Sequence, residues 1–385
     1  MRAIKNIRDK IKPHFDTGGK FERYHRAWEA FDTFLFVSEK TTFKGSHIRD
    51  AIDMKRTMVY VIIALIPPLL FGIWNTGYQY YQAVGIDPTI QEAFIFGFIR
   101  ILPLIVVSYA SGLAVEFIFA IIRDEEVNEG FLVTGMLVVL ILPVTIPLWM
   151  VAVANIFAVI IGKEIFGGTG MNVVNPALLS RAFLFFGYPA YMSGNIYTYT
   201  KLQEGHQLVD SYTGATPLAH LAESNMEAFP SDYELLLGNV PGVIGETSFI
   251  AIMLGGLFLA ITGVGSLRIM LSVFAGGIFM AGLFNIIALN EYMTIPIHQH
   301  LIVGAFAFGA VYMATDPVTA AQTGKGKYIY GFLIGVITIL IRVVNPGFPG
   351  GMMLAILMMN VFAPLIDHFV VEANIKRRLK RLKKT

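Results

Sequence analysis

The sequence predicts an all-α, polytopic membrane protein of about ten transmembrane helices in two related halves, with both termini on the cytoplasmic side. Three observations carry that reading. Of 385 residues, 55% are hydrophobic and only 15% charged, at a mean hydropathy of +0.63, which is too apolar for a water-soluble globule. Apolar runs of about bilayer length recur along the chain. Lys and Arg collect at the two ends, the tail reading Lys376-Arg-Arg-Leu-Lys-Arg-Leu-Lys-Lys384. That bias holds both ends in the cytoplasm and requires an even number of spans.

Residues 1–56 are polar and form a cytoplasmic extension, with an amphipathic interfacial helix over 21–36 in which aromatics alternate with Arg23, Arg26 and Glu29. No short apolar run with a cleavage site precedes it, so no signal peptide is expected. The first membrane half, 57–194, holds runs at 57–76, 93–122, 131–146, 148–166 and 177–192. Pro143 and Pro147 bracket the turn between the third and fourth runs, and the fifth is short and carries Arg181. A polar insert, 195–242, follows. The second half, 243–370, holds runs at 243–261, 267–289, 301–315, 328–344 and 350–370, and 371–385 is the basic tail. Ten spans place Arg123, Lys163, Arg181, Arg268, Lys325 and Lys327 on the cytoplasmic side. The connections around Asp87, Val144, Thr216, Glu291 and Pro346 then fall outside, and they contain almost no Lys or Arg.

The chain has no Cys, which excludes disulfides, thiolate zinc sites and Cys-ligated iron–sulfur clusters. Its eight His are scattered, apart from His298 and His300, and none has the spacing of a bundle haem. An electron carrier ligated by this chain is therefore expected to be organic, and nucleic acid is not an expected partner.

Three segments depart from plain lipid-facing helix. The Gly-rich run Gly167-Gly-Thr-Gly-Met-Asn-Val-Val-Asn-Pro176 reads as a re-entrant or broken segment, tolerated at membrane depth only where protein or a cavity covers it. Gly168, Thr169, Asn172 and Asn175 are its candidate ligand contacts; a purely structural turn is the alternative. A similar element returns at Asn345-Pro-Gly-Phe-Pro-Gly-Gly351, and two Asn-Pro elements in comparable positions suggest related halves. Carboxylates form the second departure: Glu116 lies inside an apolar run, and Asp316 and Asp367 lie near the ends of two others. Ionisable groups in such places face a cavity, an ion or a partner. The third, Glu125-Glu-Val-Asn-Glu129, is either functional or a solvated turn.

The most specific feature is the heptapeptide Asp210-Ser-Tyr-Thr-Gly-Ala-Thr216 in the polar insert. It resembles the acceptor motif at which a flavin transferase joins FMN to a threonine hydroxyl through a phosphodiester. Gly214 and Ala215 leave the backbone accessible, Thr216 supplies the oxygen, and Asp210 is placed to position it or a metal during transfer. An ordinary polar turn is the alternative, because Gly and Thr are common in loops.

That motif, with Val127-Asn-Glu-Gly-Phe-Leu-Val-Thr134, Gly162-Lys-Glu-Ile-Phe-Gly-Gly-Thr-Gly170 and Asn175-Pro-Ala-Leu-Leu-Ser-Arg-Ala-Phe-Leu-Phe-Phe186, resembles the B subunits of sodium-translocating NADH:quinone reductases along essentially the whole chain. The D subunits of Rnf ferredoxin:NAD reductases are similar too, without the long N-terminal extension. The resemblance implies a ten-helix fold like that of urea transporters and a multi-pass subunit of the bacterial inner membrane. It further implies FMN on Thr216, a bound riboflavin, quinone reduction nearby, and sodium uptake involving Glu116, Asp316 and Asp367. The implied partners are the other members of a six-subunit complex, including a NADH-oxidising flavin subunit and a second FMN-carrying subunit. A non-redox, channel-like solute transporter is the reading from another class.

Overall fold

The computed structural model describes residues 11–15, 19–21, 24–25, 28, 42, 44–46, 54–125, 130–192, 202, 206, 209, 214–223, 225–226, 228–345, 347–348 and 350–382. Most of the expected interfacial helix over 21–36, and Asp210, lie outside the described residues. Among those described, the structure is helical, with no strand.

Six helices are long and apolar enough to cross a membrane, within 55–84, 90–123, 148–166, 267–287, 324–344 and 352–381. In chain order the helices are α1 (Met54–Val84), α2 (Ile90–Arg123), α3 (Gly130–Ile141), α4 (Leu148–Gly162) and α5 (Pro176–Gly187). The polar insert contributes two short helices, α6 (Pro217–Ala222) and α7 (Asp232–Leu237). Then come α8 (Phe249–Ile261), α9 (Leu267–Ile287), α10 (Ile297–Ile302), α11 (Phe306–Phe308) continuing as a π-turn through Gly309–Met313, α12 (Gly324–Val344) and α13 (Met352–Leu382).

Four expected spans are shorter than read from hydropathy. The run 131–146 is helical only to Ile141, because Pro143 and Pro147 deny the ladder its donors. The run 177–192 stops at Gly187 before Pro189, and 243–261 is helical only from Phe249. The run 301–315 breaks at Gly304, whose φ of +67° is outside the helical range. Hydropathy reports apolar burial, and the stretches 142–144 and 243–248 are buried in protein as irregular backbone, which needs no continuous helix.

One packing order occurs twice along the chain: α2 lies on α4 and α4 on α5, while α9 lies on α12 and α12 on α13. Small residues bring these helices close. A side chain at Gly97 would overlap the carbonyl of Ile73 between α1 and α2, and one at Gly335 would overlap that of Val273 between α9 and α12. A buried polar spine fixes α5: Ser180 Oγ donates to Asn155 Oδ1 on α4 at 3.0 Å, and Asn155 Nδ2 donates to Ser108 Oγ on α2 at 3.1 Å. Between elements far apart in sequence, Tyr312 Oη donates to Ala64 O at 2.9 Å, and Gly245 N donates to Leu140 O at 2.8 Å. The second bond stitches the buried stretch before α8 to the break after α3, so each satisfies backbone groups the other leaves open.

Arg181 and Lys163, expected among cytoplasmic loop cations, are instead held inside the fold by carboxylates. Arg181 projects from the middle of α5 to Glu246, and Lys163 pairs with Glu116. A cation persists in an apolar interior when a carboxylate shares its burial.

Candidate functional site

Thr216 is the N-cap of α6, with Pro217 at the first helical position, where its missing N–H costs nothing. Its Oγ1 accepts from Ala219 N at 3.2 Å. Just before it, Gly214 turns the chain at φ +48°, a conformation that an L side chain resists. Gly214 and Ala215 are buried and Thr216 half-buried, so the motif presents the threonine at a protein surface rather than on a free loop.

That surface is the rim of a cavity of about 520 Å³. Its walls come from α5, α6, the buried stretch before α8, the α10–α11 break and the Gly-rich segment leading into α13. Leu178, Phe185, Leu218, Phe308, Phe348 and Met352 make it largely apolar. The polar groups are few and placed. Arg181 Nη1 donates to Glu246 Oε1 at 2.6 Å in the wall. Thr247 Oγ1 is buried there without a hydrogen-bond partner. Behind Val303, the fully buried Arg342 donates from Nη1 to His300 O at 2.6 Å and from Nη2 to Val303 O at 3.2 Å.

The Gly-rich turn lies at the other end of α5. The cavity wall runs along α5 from Leu178 to Phe185, and residues 167–175 precede it and take no part in it. Gly167, Gly168 and Gly170 have φ of +117°, +90° and +91°. Gly168 sits against the Arg123–Glu164 ion pair, 2.9 Å long, with a would-be Cβ 3.5 Å from Arg123 Nη1. Thr169 lies beside Gly130, and Asn172 Nδ2 donates to Val174 O at 3.4 Å. Asn175 is buried: Oδ1 accepts from Ala177 N at 3.0 Å and Leu178 N at 3.2 Å, capping α5, and Nδ2 donates to Asp316 Oδ2 at 3.2 Å. It ties the turn down and uses one of its two Nδ2 hydrogens to do so.

The three carboxylates are not brought together, and no group of three or more His, Cys, Asp or Glu fit to hold a metal ion occurs among the described residues. Glu116, 4% exposed, is paired with Lys163. One turn before it, Gly112 leaves room for the ring of Phe131, so the pair sits in apolar surroundings. Asp316 follows the π-turn and is partly buried. It accepts from Val318 N at 3.0 Å, Thr319 Oγ1 at 3.0 Å and Asn175 at 3.2 Å, all neutral donors. Asp367 clamps the start of α12, accepting from Gln322 N at 2.6 Å, Thr323 N at 3.0 Å and Thr323 Oγ1 at 2.5 Å.

Glu246, Arg342 and the pairing role of Lys163 are not evident from motif reading. The signal for two of them is present all the same. Arg342 interrupts Thr338-Ile-Leu-Ile-Arg-Val-Val344, and Glu246 adjoins an apolar run, which is the argument that singles out Glu116.

The model of the NQR2, RnfD, RnfE family matches residues 41–376. The chain is similar to proteins named as the B subunit of Na(+)-translocating NADH-quinone reductase. That of Chromohalobacter salexigens is 47% identical over 98% of this chain and 97% of its own length. That of Stutzerimonas stutzeri is 47% identical over 98% and 99%, and that of Pseudomonas aeruginosa 44% identical over 98% and 99%. On a family match over most of its length and these near full-length identities, the chain belongs to the NQR2, RnfD, RnfE family.

Proposed function

We propose that this chain is the B subunit, embedded in the bacterial inner membrane, of a sodium-translocating NADH:quinone reductase and that it carries FMN on Thr216. The near full-length similarity to relatives of that name carries the reading. It also favours this complex over an Rnf-type reductase and over a non-redox transporter. Electrons from NADH enter through a partner, because no soluble nucleotide-binding domain is present among the described residues. The partners are the other members of a six-subunit complex, with a NADH-oxidising flavin subunit and a second FMN-carrying subunit among them, and a flavin transferase during maturation.

The residues around Thr216 fit a flavin. A largely apolar cavity of about 520 Å³ next to the hydroxyl suits a planar tricyclic ring. The unpartnered Thr247 Oγ1 gives the ring's polar edge a partner. A flavin there supplies both one- and two-electron transfer between a hydride donor and quinone. This chain's part is to anchor it at Thr216, enclose the ring in apolar walls and hold charged groups at fixed places around it. Riboflavin is assigned to the Gly-rich turn, with Thr169, Asn172 and backbone groups near Gly168 as its contacts and Asn175 holding the turn in shape.

The remaining topology follows the same reading: ten spans in two related halves, like urea transporters, with both termini cytoplasmic. The matching packing order supports it, as do the broken third element of each half and the Asn-Pro element before each last helix. Of the three carboxylates on the proposed sodium path, Asp316 and Asp367 meet only neutral donors, and Asp316 is the one held beside the Gly-rich turn by Asn175. Sodium binds there by exchanging hydration for oxygen ligands and supplying the missing charge.

The decisive experiment is in-gel fluorescence of the SDS-denatured protein, which retains only covalent flavin. The wild type is expected to fluoresce, Thr216→Ala to assemble without fluorescence, and Thr216→Ser to recover part of it. Undiminished fluorescence in Thr216→Ala removes Thr216 as the acceptor.

A further inference from the structure

We propose that Asn360 on α13, anchored by Tyr330 on α12, is a positioning residue for Asp316 and acts on it through Asn175. The proposal rests on the reading of Asp316 as a sodium-binding carboxylate.

Three neutral polar side chains are buried among α5, α12 and α13: Asn175 is 4% exposed, Asn360 1% and Tyr330 0%. A buried amide or hydroxyl is costly unless it is bonded, so each of these needs its partners. The neighbours of Asn360 decide which way its amide faces, because its oxygen must meet a donor and its nitrogen acceptors. So oriented, Nδ2 donates to Ile356 O at 3.2 Å and to Tyr330 Oη at 2.7 Å, and Oδ1 accepts from Asn175 N at 3.1 Å. The first two bonds fix the amide to its own helix and to α12. The third satisfies a backbone N–H that α5 cannot, because Asn175 is the N-cap of that helix.

Asn175 passes the constraint on. Its backbone is held by Asn360 and its Oδ1 by Ala177 N and Leu178 N, so its Nδ2 is aimed at Asp316 Oδ2, 3.2 Å away. The other donors to that carboxylate, Val318 N and Thr319 Oγ1, lie two and three residues along the chain and move with it. Among the described residues, the Asn175 amide is the hydrogen-bond donor that ties Asp316 to another part of the fold. Asp316 itself follows the π-turn Gly309–Met313, a local irregularity of the kind that gathers at functional sites. A carboxylate already held in place loses less freedom when an ion exchanges water for its oxygens. Loss of the Asn360 acceptor releases the Asn175 backbone and leaves the charge of Asp316 untouched. The consequence is a weaker ion site rather than a missing one.

The test is quinone reduction by the purified complex as a function of sodium, with rates expressed per noncovalent flavin retained. Asn360→Leu keeps the volume and removes both ends of the amide. It is expected to raise the sodium KM roughly fivefold, with kcat at saturating sodium and the quinone KM near wild type. Tyr330→Phe removes only the hydroxyl that anchors Asn360 and is expected to raise the sodium KM about twofold. The Asp316→Asn background separates positioning from general loosening, since a residue that acts through Asp316 has nothing further to change there. A sodium KM raised by Asn360→Leu alone, and not raised further when it is added to Asp316→Asn, supports the proposal. An unchanged sodium KM in the single variant, or an equal rise in both backgrounds, overturns it while leaving the sodium reading of Asp316 intact. Should Asn360→Leu fail to assemble, Tyr330→Phe decides by the same two comparisons. If Asp316→Asn itself leaves the sodium KM at the wild-type value, the reading of Asp316 falls and the proposal falls with it.

Discussion

Glu116 and Asp316 are both carboxylates in the membrane part of the fold, and their surroundings are opposites. Glu116 is buried in an apolar pocket and matched by the lysine of the next packed helix end. Asp316 is partly accessible and is met by an amide, a hydroxyl and a backbone N–H. In the first case charge is balanced within the protein, and the pair ties α2 to the end of α4. In the second, hydrogen bonds orient the carboxylate but leave its charge for something mobile. Where a carboxylate sits in the sequence does not separate these cases; what packs against it does.

The largest effect is expected from breaking the balanced pair. Lys163→Met strands the Glu116 carboxylate in an apolar site, at a cost of about 3–5 kcal/mol. Glu116→Leu combined with Lys163→Met should recover most of that loss, since replacing a whole buried pair by apolar groups is often neutral. Thermal unfolding in detergent measures both. A single mutant as stable as wild type would show that the two groups are not interdependent.

The unbalanced carboxylate should respond in ion dependence more than in stability. Asp316→Asn keeps the size and most hydrogen bonds, so a stability loss of only about 1–2 kcal/mol is expected. The sodium KM of quinone reduction should rise on the order of tenfold, equivalent to about 1.4 kcal/mol of lost charge interaction. Glu116→Gln, by contrast, should leave the sodium KM within about twofold and lower stability instead. The reverse ranking would place the ion at Glu116 and make Asp316 the structural one.

An exposed pair supplies the lower end of the scale. Asp232 on α7 accepts from Gln299 Nε2 at 2.7 Å and lies 2.9 Å from His298 Nε2, both on α10. The bond from Gln299, then that from His298, holds its carboxyl below the usual carboxylate range. A depressed folded value contributes stability above the unfolded pKa, about 3.9, and loses it as pH falls through the folded value. Amide exchange in α7 should therefore quicken only below about pH 4. Asp232→Asn should remove that pH dependence, while the Glu116–Lys163 region stays protected throughout.

The membrane class and the presence of the long helices are legible in the sequence because each depends on local composition; their limits are less so, since α1 runs on to Val84 and α13 to Leu382, well past the apolar runs 57–76 and 350–370. Mean hydropathy finds α1, α2, α9 and α12 without knowing their neighbours. It overstates the four short elements because apolar composition is the same for a buried loop and a buried helix. Proline and glycine at 143, 147 and 304 mark where those helices break. The cavity is not legible, because Arg181, Glu246 and Val303 come from separate stretches and meet only in the fold. Asn175 stands out in the sequence as a ligand contact; its additional part in capping α5 and holding Asp316 shows only in the fold.

The flavin on Thr216 is the claim on which the most depends, and peptide mass spectrometry of the purified complex tests it most directly. The protease fragment spanning Gly214 to Pro217 should carry the mass of FMN less one water, with fragmentation placing it on Thr216. The same fragment recovered unmodified, from a complex whose total flavin content is full, would contradict it.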